Sequence, residues 1–279
     1  MPANDGILIV VPTPIGNRED ITLRALRVLR EADLIACEDT RHSGLLMDYF
    51  EVHAPLISYE KFNEEARSRD ILDRVAEGKK VCLVSDAGMP GISDPGAILI
   101  RHAIARGLPF TVLPGPSAAD TCFVASGLGE GTYAFLGFLP RKGKERREAL
   151  EKLDRMEMAA VIYEAPHRIR KTLEEFGQRW PERRMALLRE WTKTYEERQS
   201  FLGKEAGDLE VVEKGEFVLV LEGAEPNEES PGMDQVVDRL RTLIDQGRST
   251  KDAVKEVAEW SGLPKNDLYQ EALNITKKK

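Results

Sequence analysis

Two carboxylates, Asp86 and Asp94, stand in a stretch crowded with glycine and proline: Ser85-Asp86-Ala87-Gly88-Met89-Pro90-Gly91-Ile92-Ser93-Asp94-Pro95-Gly96. A carboxylate there can accept hydrogen bonds from a ligand's amino or hydroxyl groups, glycine lets the backbone come close, and proline stiffens the loop. A second group of titratable residues is Glu38-Asp39-Thr40-Arg41-His42. An acid pair beside a cation suits proton transfer, and equally suits a salt-bridged helix cap. A third loop, Pro114-Gly115-Pro116-Ser117-Ala118, offers backbone amides at a helix start, with Ser117 as its N-cap. Asp94 precedes Pro95, the natural first residue of a helix, and so reads as an N-cap as well.

These residues are far apart in sequence, so something must gather them. Short apolar runs over 7–11, 34–37, 81–84 and 110–113 read as strands, each leading through a polar or Gly/Pro loop into a helical pattern. Predicted helices cover 62–77, 95–106 and 117–125, and another starts after Asp20 as its N-cap. Alternating strands and helices imply a parallel sheet, whose loops collect along one edge where small molecules bind. Ser126 to Thr132 contains three glycines in seven residues and reads as a hinge. Beyond it, strand patterns near 134–138, 159–163, 185–188 and 217–221 alternate with helices over 144–155 and 166–178. The fold class expected is therefore α/β, with one domain over 1–125, a hinge at 126–132, a second over 133–225 and a helical tail over 233–276. That tail reads as three short helices, either a helix-turn-helix-like module or a packing appendage.

Composition limits the function classes. The 279 residues carry a formal net charge of −8, which argues against a protein that coats nucleic acid by bulk charge. Basic patches remain, however, at Arg141, Lys142, Lys144, Arg146 and Arg147 and again between Arg168 and Arg184. Each is either a polyanion contact or a solvated helix face. No apolar run approaches a membrane span, and the first residues have no basic flank or apolar core of a signal peptide. Cys37, Cys82 and Cys122 lie in or beside apolar patterns with no zinc-site spacing, as buried thiols of a cytoplasmic protein do.

Taken together, several motifs carry a family resemblance across about 6–276: Val11-Pro12-Thr13-Pro14-Ile15-Gly16-Asn17, Glu38-Asp39-Thr40-Arg41, the 85–96 loop, Pro114-Gly115-Pro116-Ser117-Ala118, Tyr163-Glu164-Ala165-Pro166-His167-Arg168, Arg189-Glu190 with Thr192-Lys193, and Lys214-Gly215-Glu216-Phe217. The chain resembles the tetrapyrrole methylase superfamily, in particular the branch that methylates the ribose 2′-hydroxyl of a cytidine in small-subunit ribosomal RNA. The first loop lacks the glycine-rich pattern of the tetrapyrrole-modifying relatives, which favours the RNA branch.

The resemblance implies S-adenosyl-L-methionine as methyl donor, a cleft between two α/β domains, and a homodimer acting on small-subunit ribosomal RNA or the small ribosomal subunit. It places Pro12, Asp86, Met89, Ser117, Ala118, Glu164 and Phe217 around the donor. Arg41, Arg168 and Arg189, with the run at 141–147, are then the expected RNA contacts, since guanidinium matches phosphate in a bidentate fashion. Glu38, Asp39 and Lys193 are the catalytic expectation, among a wider set of proton acceptors that includes His42, His167 and Glu190. Neither spacing nor residue type singles out one base. A tetrapyrrole methyltransferase and a non-catalytic ribosome-assembly factor on the same fold are the competing readings.

Overall fold

The computed structural model describes residues 6–225 and 232–277. Contacts divide the chain into one unit up to Gly223 and another from Ala224 onward. The first unit holds two five-stranded sheets.

The first sheet contains β1 (Ile7–Val10), β2 (Leu34–Cys37), β3 (Leu56–Ser58), β4 (Lys80–Leu83) and β5 (Phe110–Val112) in the order β3-β2-β4-β1-β5, all parallel. Its helices are α1 (Leu23–Arg30), α2 (Thr40–Tyr49), α3 (Glu64–Ala76) and α4 (Ala97–Ala105). Strand side chains alternate between faces. Ile9, Val11, Ile35 and Cys82 pack with Ala25, Leu29 and Met47 of α1 and α2. Leu8, Val10, Ala36 and Val81 pack with Ile71, Leu72, Leu99 and Ala103 of α3 and α4. Helices on both faces explain why the strands read as continuous apolar runs.

The connection from β2 runs outward to β3, whereas that from β4 crosses β1 to β5 at the opposite edge. The two diverge, which leaves a crevice beyond the carboxyl ends of β2 and β4, the place where open α/β sheets take ligands.

The second sheet orders β6 (Tyr133–Phe138), β7 (Ala159–Glu164), β10 (Phe217–Leu221), β8 (Arg184–Arg189) and β9 (Glu197–Leu202) as β6-β7-β10-β8-β9. Only β6 and β7 run parallel; the other pairs are antiparallel. Helices α6 (Gly143–Asp154) and α7 (Pro166–Arg179) cover one face, where Leu150, Leu153, Ile169 and Phe176 meet Ile162, Leu187 and Leu219. The other face is covered by α5 (Ala118–Ser126), through Ala119 and Cys122 against Val161, Ala186, Leu188 and Val220. So α5, which leaves the last strand of the first sheet, serves as a layer of the second.

Two further ties join the halves of this unit. Arg198 on β9 donates to the carbonyls of Ala125 at 2.6 Å and Ser126 at 2.8 Å, at the end of α5. The Thr192 hydroxyl accepts from the Asn17 backbone N–H at 3.1 Å.

Helix starts differ from expectation at two places. Thr22, not Asp20, caps α1: its hydroxyl accepts from the Ala25 N–H at 3.0 Å, and Asp20 ends a short 3-10 turn. Helix α4 begins at Ala97 behind Gly96, so Asp94 caps nothing; its neighbour Gly96 gives its N–H to Glu64 Oε1 at 3.0 Å. Ser117 does cap α5, accepting from the Asp120 N–H at 3.4 Å.

The second unit holds α8 (Met233–Asp245), α9 (Thr250–Ser261) and α10 (Lys265–Lys277) around a core of Val236, Leu240, Val254, Val257, Leu268 and Ala272. Among the described residues no helix is long and apolar enough to cross a membrane.

Candidate active site

Loops from all five strands of the first sheet build the site, and hydrogen bonds stitch two of them together. Thr13 and Gly88 exchange backbone hydrogen bonds at 3.0 Å in both directions. The Thr13 hydroxyl donates to the Ser85 carbonyl at 3.0 Å, and the Ser85 hydroxyl to the Gly88 carbonyl at 2.9 Å. Gly88 has φ +80°, a left-handed conformation open to glycine without strain. The 85–96 loop is thus pinned to the loop after β1.

Two cavities flank this seam. The larger, about 500 Å³, lies in the crevice between β2 and β4 and is lined by Glu38, Asp39, Thr40, Arg41, Ser58, Glu60, Lys61, Phe62 and Asp86. The smaller, about 40 Å³, is lined by Ile15, Ala87, Gly88, Met89, Ile92, Ser93, Asp94, Ser117, Ala118 and Tyr163. They adjoin at the Asp86–Ala87 step. Asp86 therefore stands apart from Met89, Ser117 and Ala118, with which the sequence grouped it.

The charged groups of the larger cavity are not equivalent. Asp39 binds Arg41 through Nε at 3.2 Å and Nη2 at 2.9 Å and also accepts the Arg41 N–H, which holds its carboxyl down at about 2. It is too weak a base to take a proton near neutral pH. Glu38 is the reverse. Burial pushes its carboxyl above the usual range, and Asp94, Asp86, Glu60 and Asp39 push it the same way. Asp94 is raised too, by burial first and then by Asp86 and Glu216. Asp86 Oδ1 is buried with no hydrogen-bond partner among the described residues. A buried unpaired acceptor is costly, so such atoms mark places where a ligand's donor completes the set.

Lys193 stands on the β8–β9 loop, beside Gly16 of the loop after β1. Its ammonium meets Glu190 Oε1 and Glu216 Oε2, each at 3.0 Å. Burial opposes its charge, but those hydrogen bonds outweigh it and hold the pKa above the ordinary lysine value. Lys193 therefore stays cationic and cannot act as a proton acceptor at neutral pH, contrary to one role open to it in the sequence. A Cβ at Gly16 would fall 2.5 Å from Lys193 Cγ and 2.7 Å from Thr192 Oγ1, so only glycine allows this loop to close on the loop after β1. Glu190 and Thr192 themselves take left-handed backbone angles, φ +49° and +68°, a strain that functional loops often store.

Three expected donor contacts turn elsewhere. Glu164 is 2% exposed, and its carboxylate is fully engaged by Thr172 Oγ1 at 2.7 Å, Arg168 Nε at 3.1 Å and the Ala165 N–H at 2.8 Å. Phe217 packs into the core beneath α6 and α7. Both lie one residue out of register for the cleft, because strand side chains alternate; Tyr163 is the residue that lines the cavity. Pro12 is buried against Gly115.

The basic residues divide in the same way. Arg146 is turned inward, to Glu175 Oε2 at 2.5 Å and the Pro140 carbonyl at 2.9 Å. Arg168 holds Glu164 and the Leu139 carbonyl, and Arg189 holds Glu197 at 2.6 Å. These three are occupied by internal carboxylates and are withdrawn from phosphate. Arg41, Arg141, Lys142, Lys144 and Arg147 are exposed.

The model of the Tetrapyrrole (Corrin/Porphyrin) Methylases matches residues 7–207, and that of the RsmI C-terminal HTH domain matches 232–276. A ribosomal RNA small subunit methyltransferase I of Halalkalibacterium halodurans is 42% identical over 270 residues, 95% of this chain and 93% of its own. Its counterpart of Escherichia coli O157:H7 is 41% identical over 280 residues, 97% of this chain and 96% of its own. Among solved structures, cobalt precorrin-4 methyltransferase superposes with TM-score 0.61 at 19% identity, over 80% of this chain and 97% of its own. Uroporphyrin-III C-methyl transferase from Thermus thermophilus, complexed with S-adenyl homocysteine, gives 0.55 at 20% identity, over 78% of this chain and 97% of its own. At such identities the likeness is one of fold. Matches along nearly the whole length show that this chain belongs to the tetrapyrrole (corrin/porphyrin) methylase family and, within it, to the ribosomal RNA small subunit methyltransferase I group.

Proposed function

We propose that this chain transfers the methyl group of S-adenosyl-L-methionine to the 2′-hydroxyl of a cytidine in small-subunit ribosomal RNA, as a cytoplasmic homodimer. The observation that carries the reading is the Asp86–Ala87 seam, where a cavity of acids meets a cleft of apolar and backbone groups. The donor's features suit that cleft. Met89, Ile15, Ile92 and Ala118 offer apolar walls, and the orphaned Asp86 Oδ1 at the seam suits an amino or hydroxyl donor. When bound, S-adenosyl-L-methionine supplies an electrophilic methyl on a sulfonium.

The chain's own residues supply the remainder. Glu38 accepts the proton of the ribose hydroxyl; burial and the neighbouring carboxylates raise its pKa, which makes it a stronger base than an ordinary carboxylate. Arg41, steered by Asp39, faces a phosphate at the rim of the cavity. Lys193, fixed by Glu190 and Glu216, keeps a positive charge beside the loop after β1. Positioning the hydroxyl supplies a large share of the rate for such an in-line transfer. The exposed basic group on α6 adds phosphate contacts away from the centre.

Incubation with labelled donor and small subunits lacking the modification tests this. Nucleoside digestion should give 2′-O-methylcytidine, resistant to mild alkali because the hydroxyl needed for cleavage is blocked. A methyl on the base, or none transferred, overturns the assignment.

A further inference from the structure

The turn between β3 and α3 forms the outer wall of the acidic cavity. Its tip, Phe62, is 98% exposed. Nothing about the turn is loose. Tyr59 is buried, with its hydroxyl 3.1 Å from Ser68 Oγ and 3.4 Å from Glu64 Oε1. Glu64 in turn accepts from the Gly96 N–H at the end of the 85–96 loop. Asn63 Oδ1 accepts the Glu60 N–H at 2.8 Å, and Ser58 Oγ donates to Glu60 Oε1 at 2.5 Å. The fold therefore holds a whole phenyl ring in water on a pinned turn, at the mouth of a 500 Å³ cavity. That volume is in the range of about 300–1,000 Å³ found for small-ligand sites.

Enzymes that work on one nucleotide draw it out of the stack and hold its base on an aromatic or apolar surface. A phenyl face fits any base; the polar lining must select among them. Here the wall beside Phe62 presents Glu60, an acceptor fixed by Ser58, together with the Lys61 cation. Cytosine shows an amino donor at N4, where uracil shows a carbonyl acceptor. A carboxylate attracts the first and repels the second.

We propose that Phe62 and Glu60 form a nucleobase subsite, in which the extruded cytosine stacks on the Phe62 ring and gives its N4 amino hydrogen to Glu60. The wall with Glu38 is then left to the ribose, and Lys61 lies beside a phosphate. The subsite rests on the RNA-methyltransferase reading and extends it to the choice of base.

Methyl transfer to unmodified small subunits, measured for wild type, Phe62→Ala, Phe62→Leu and Phe62→Trp, provides the test. Binding of short oligocytidine and oligouridine RNAs of equal length accompanies it. Phe62 is exposed, so the variants keep the fold. Phe62→Ala should raise KM for the particle and weaken oligocytidine binding by roughly 5–100-fold, the size of one lost base stack, with affinity for S-adenosylhomocysteine unchanged. Phe62→Trp should retain both, and Phe62→Leu should not. Glu60→Gln should narrow the preference of oligocytidine over oligouridine. Unchanged KM and binding in Phe62→Ala, or full activity in Phe62→Leu, overturns the subsite. Wild type that transfers no methyl yet loses oligocytidine binding on Phe62→Ala overturns the enzymatic reading while sustaining the subsite.

Discussion

Glu38 and Glu164 occupy equivalent places, each at the carboxyl end of a strand and shortly before a helix, and they have opposite fates. Glu164, on the second sheet, is buried and satisfied: a hydroxyl, a guanidinium and a backbone N–H take up its oxygens. Glu38, on the first sheet, is half-buried, and the charged groups acting on it are all carboxylates. One is a rivet between β7 and α7; the other is the base that the proposed reaction calls for. The difference lies in what each strand end faces. Sheet two meets its own helix α7, whereas sheet one opens on the crevice left by diverging connections. A strand-end acid is thus assigned by its partners, and its sequence position alone is neutral between the two.

The comparison can be broken by exchanging effects. Glu38→Gln should lower kcat by about 10²–10⁴-fold, the usual contribution of a general base, while leaving the melting temperature unchanged or higher at neutral pH. The sign follows from linkage. A folded-state carboxyl pKa raised above its unfolded value stabilises only below the unfolded pKa, and that stability is lost as pH rises through the folded value. Removing the charge therefore helps most at neutral pH, and stopped assays with parallel melts across pH check both halves. By the same token, wild-type kcat should fall on acidification at a pH above the ordinary carboxylate range.

Glu164→Ala should do the opposite. Leaving Arg168 without its buried partner costs about 3–5 kcal/mol of stability, read by denaturant titration, with kcat per folded molecule little changed. A large kcat loss without destabilisation would return Glu164 to the catalytic cleft.

The basic residues at the start of α6 and just before it sharpen the same distinction on a smaller scale. Neutralising Lys142, Lys144 and Arg147 should flatten the slope of log affinity for RNA against log salt by about 0.7 per lost phosphate contact. Arg146→Met should leave that slope alone and show up in the melt, since its guanidinium serves Glu175 and the Pro140 carbonyl. The smallest effect is expected at Lys144 and Arg147 in the melt, where i,i+4 pairs with Glu148 and Glu151 contribute only about 0.3–0.5 kcal/mol each.

What could be read in advance follows from period and composition. The buried parallel strands β1, β2 and β4 are unbroken apolar runs between Gly/Pro loops, and their loops meet as the parallel sheet requires. Strand β3 went unread because Leu56-Ile57-Ser58 is only three residues long, and β9 because Glu197-Arg198-Gln199-Ser200 looks like polar surface although it pairs along β8. Register was the harder quantity. A shift of one residue separates Tyr163, in the cleft, from Glu164, in the core. No local signal gave the pairing of Arg146 with Glu175, which lies 29 residues away. Phe62 carried no pattern at all; its isolation in water becomes visible only once the turn beneath it is seen to be anchored.

Arg198 and Thr192 bear on turnover as well as on architecture. The small cleft at Met89 and Tyr163 measures about 40 Å³ and is lined from both sheets, and the two halves of the first unit are tied by the hydrogen bonds from Arg198 to the end of α5 and from Asn17 to Thr192. We expect passage of an occupant to loosen those ties. Exchange of spent for fresh donor then becomes a step with its own barrier, of the kind that often limits well-evolved enzymes. Its signature is a pre-steady-state burst of methylated product, one that shrinks when Arg198→Ala unlatches the cleft.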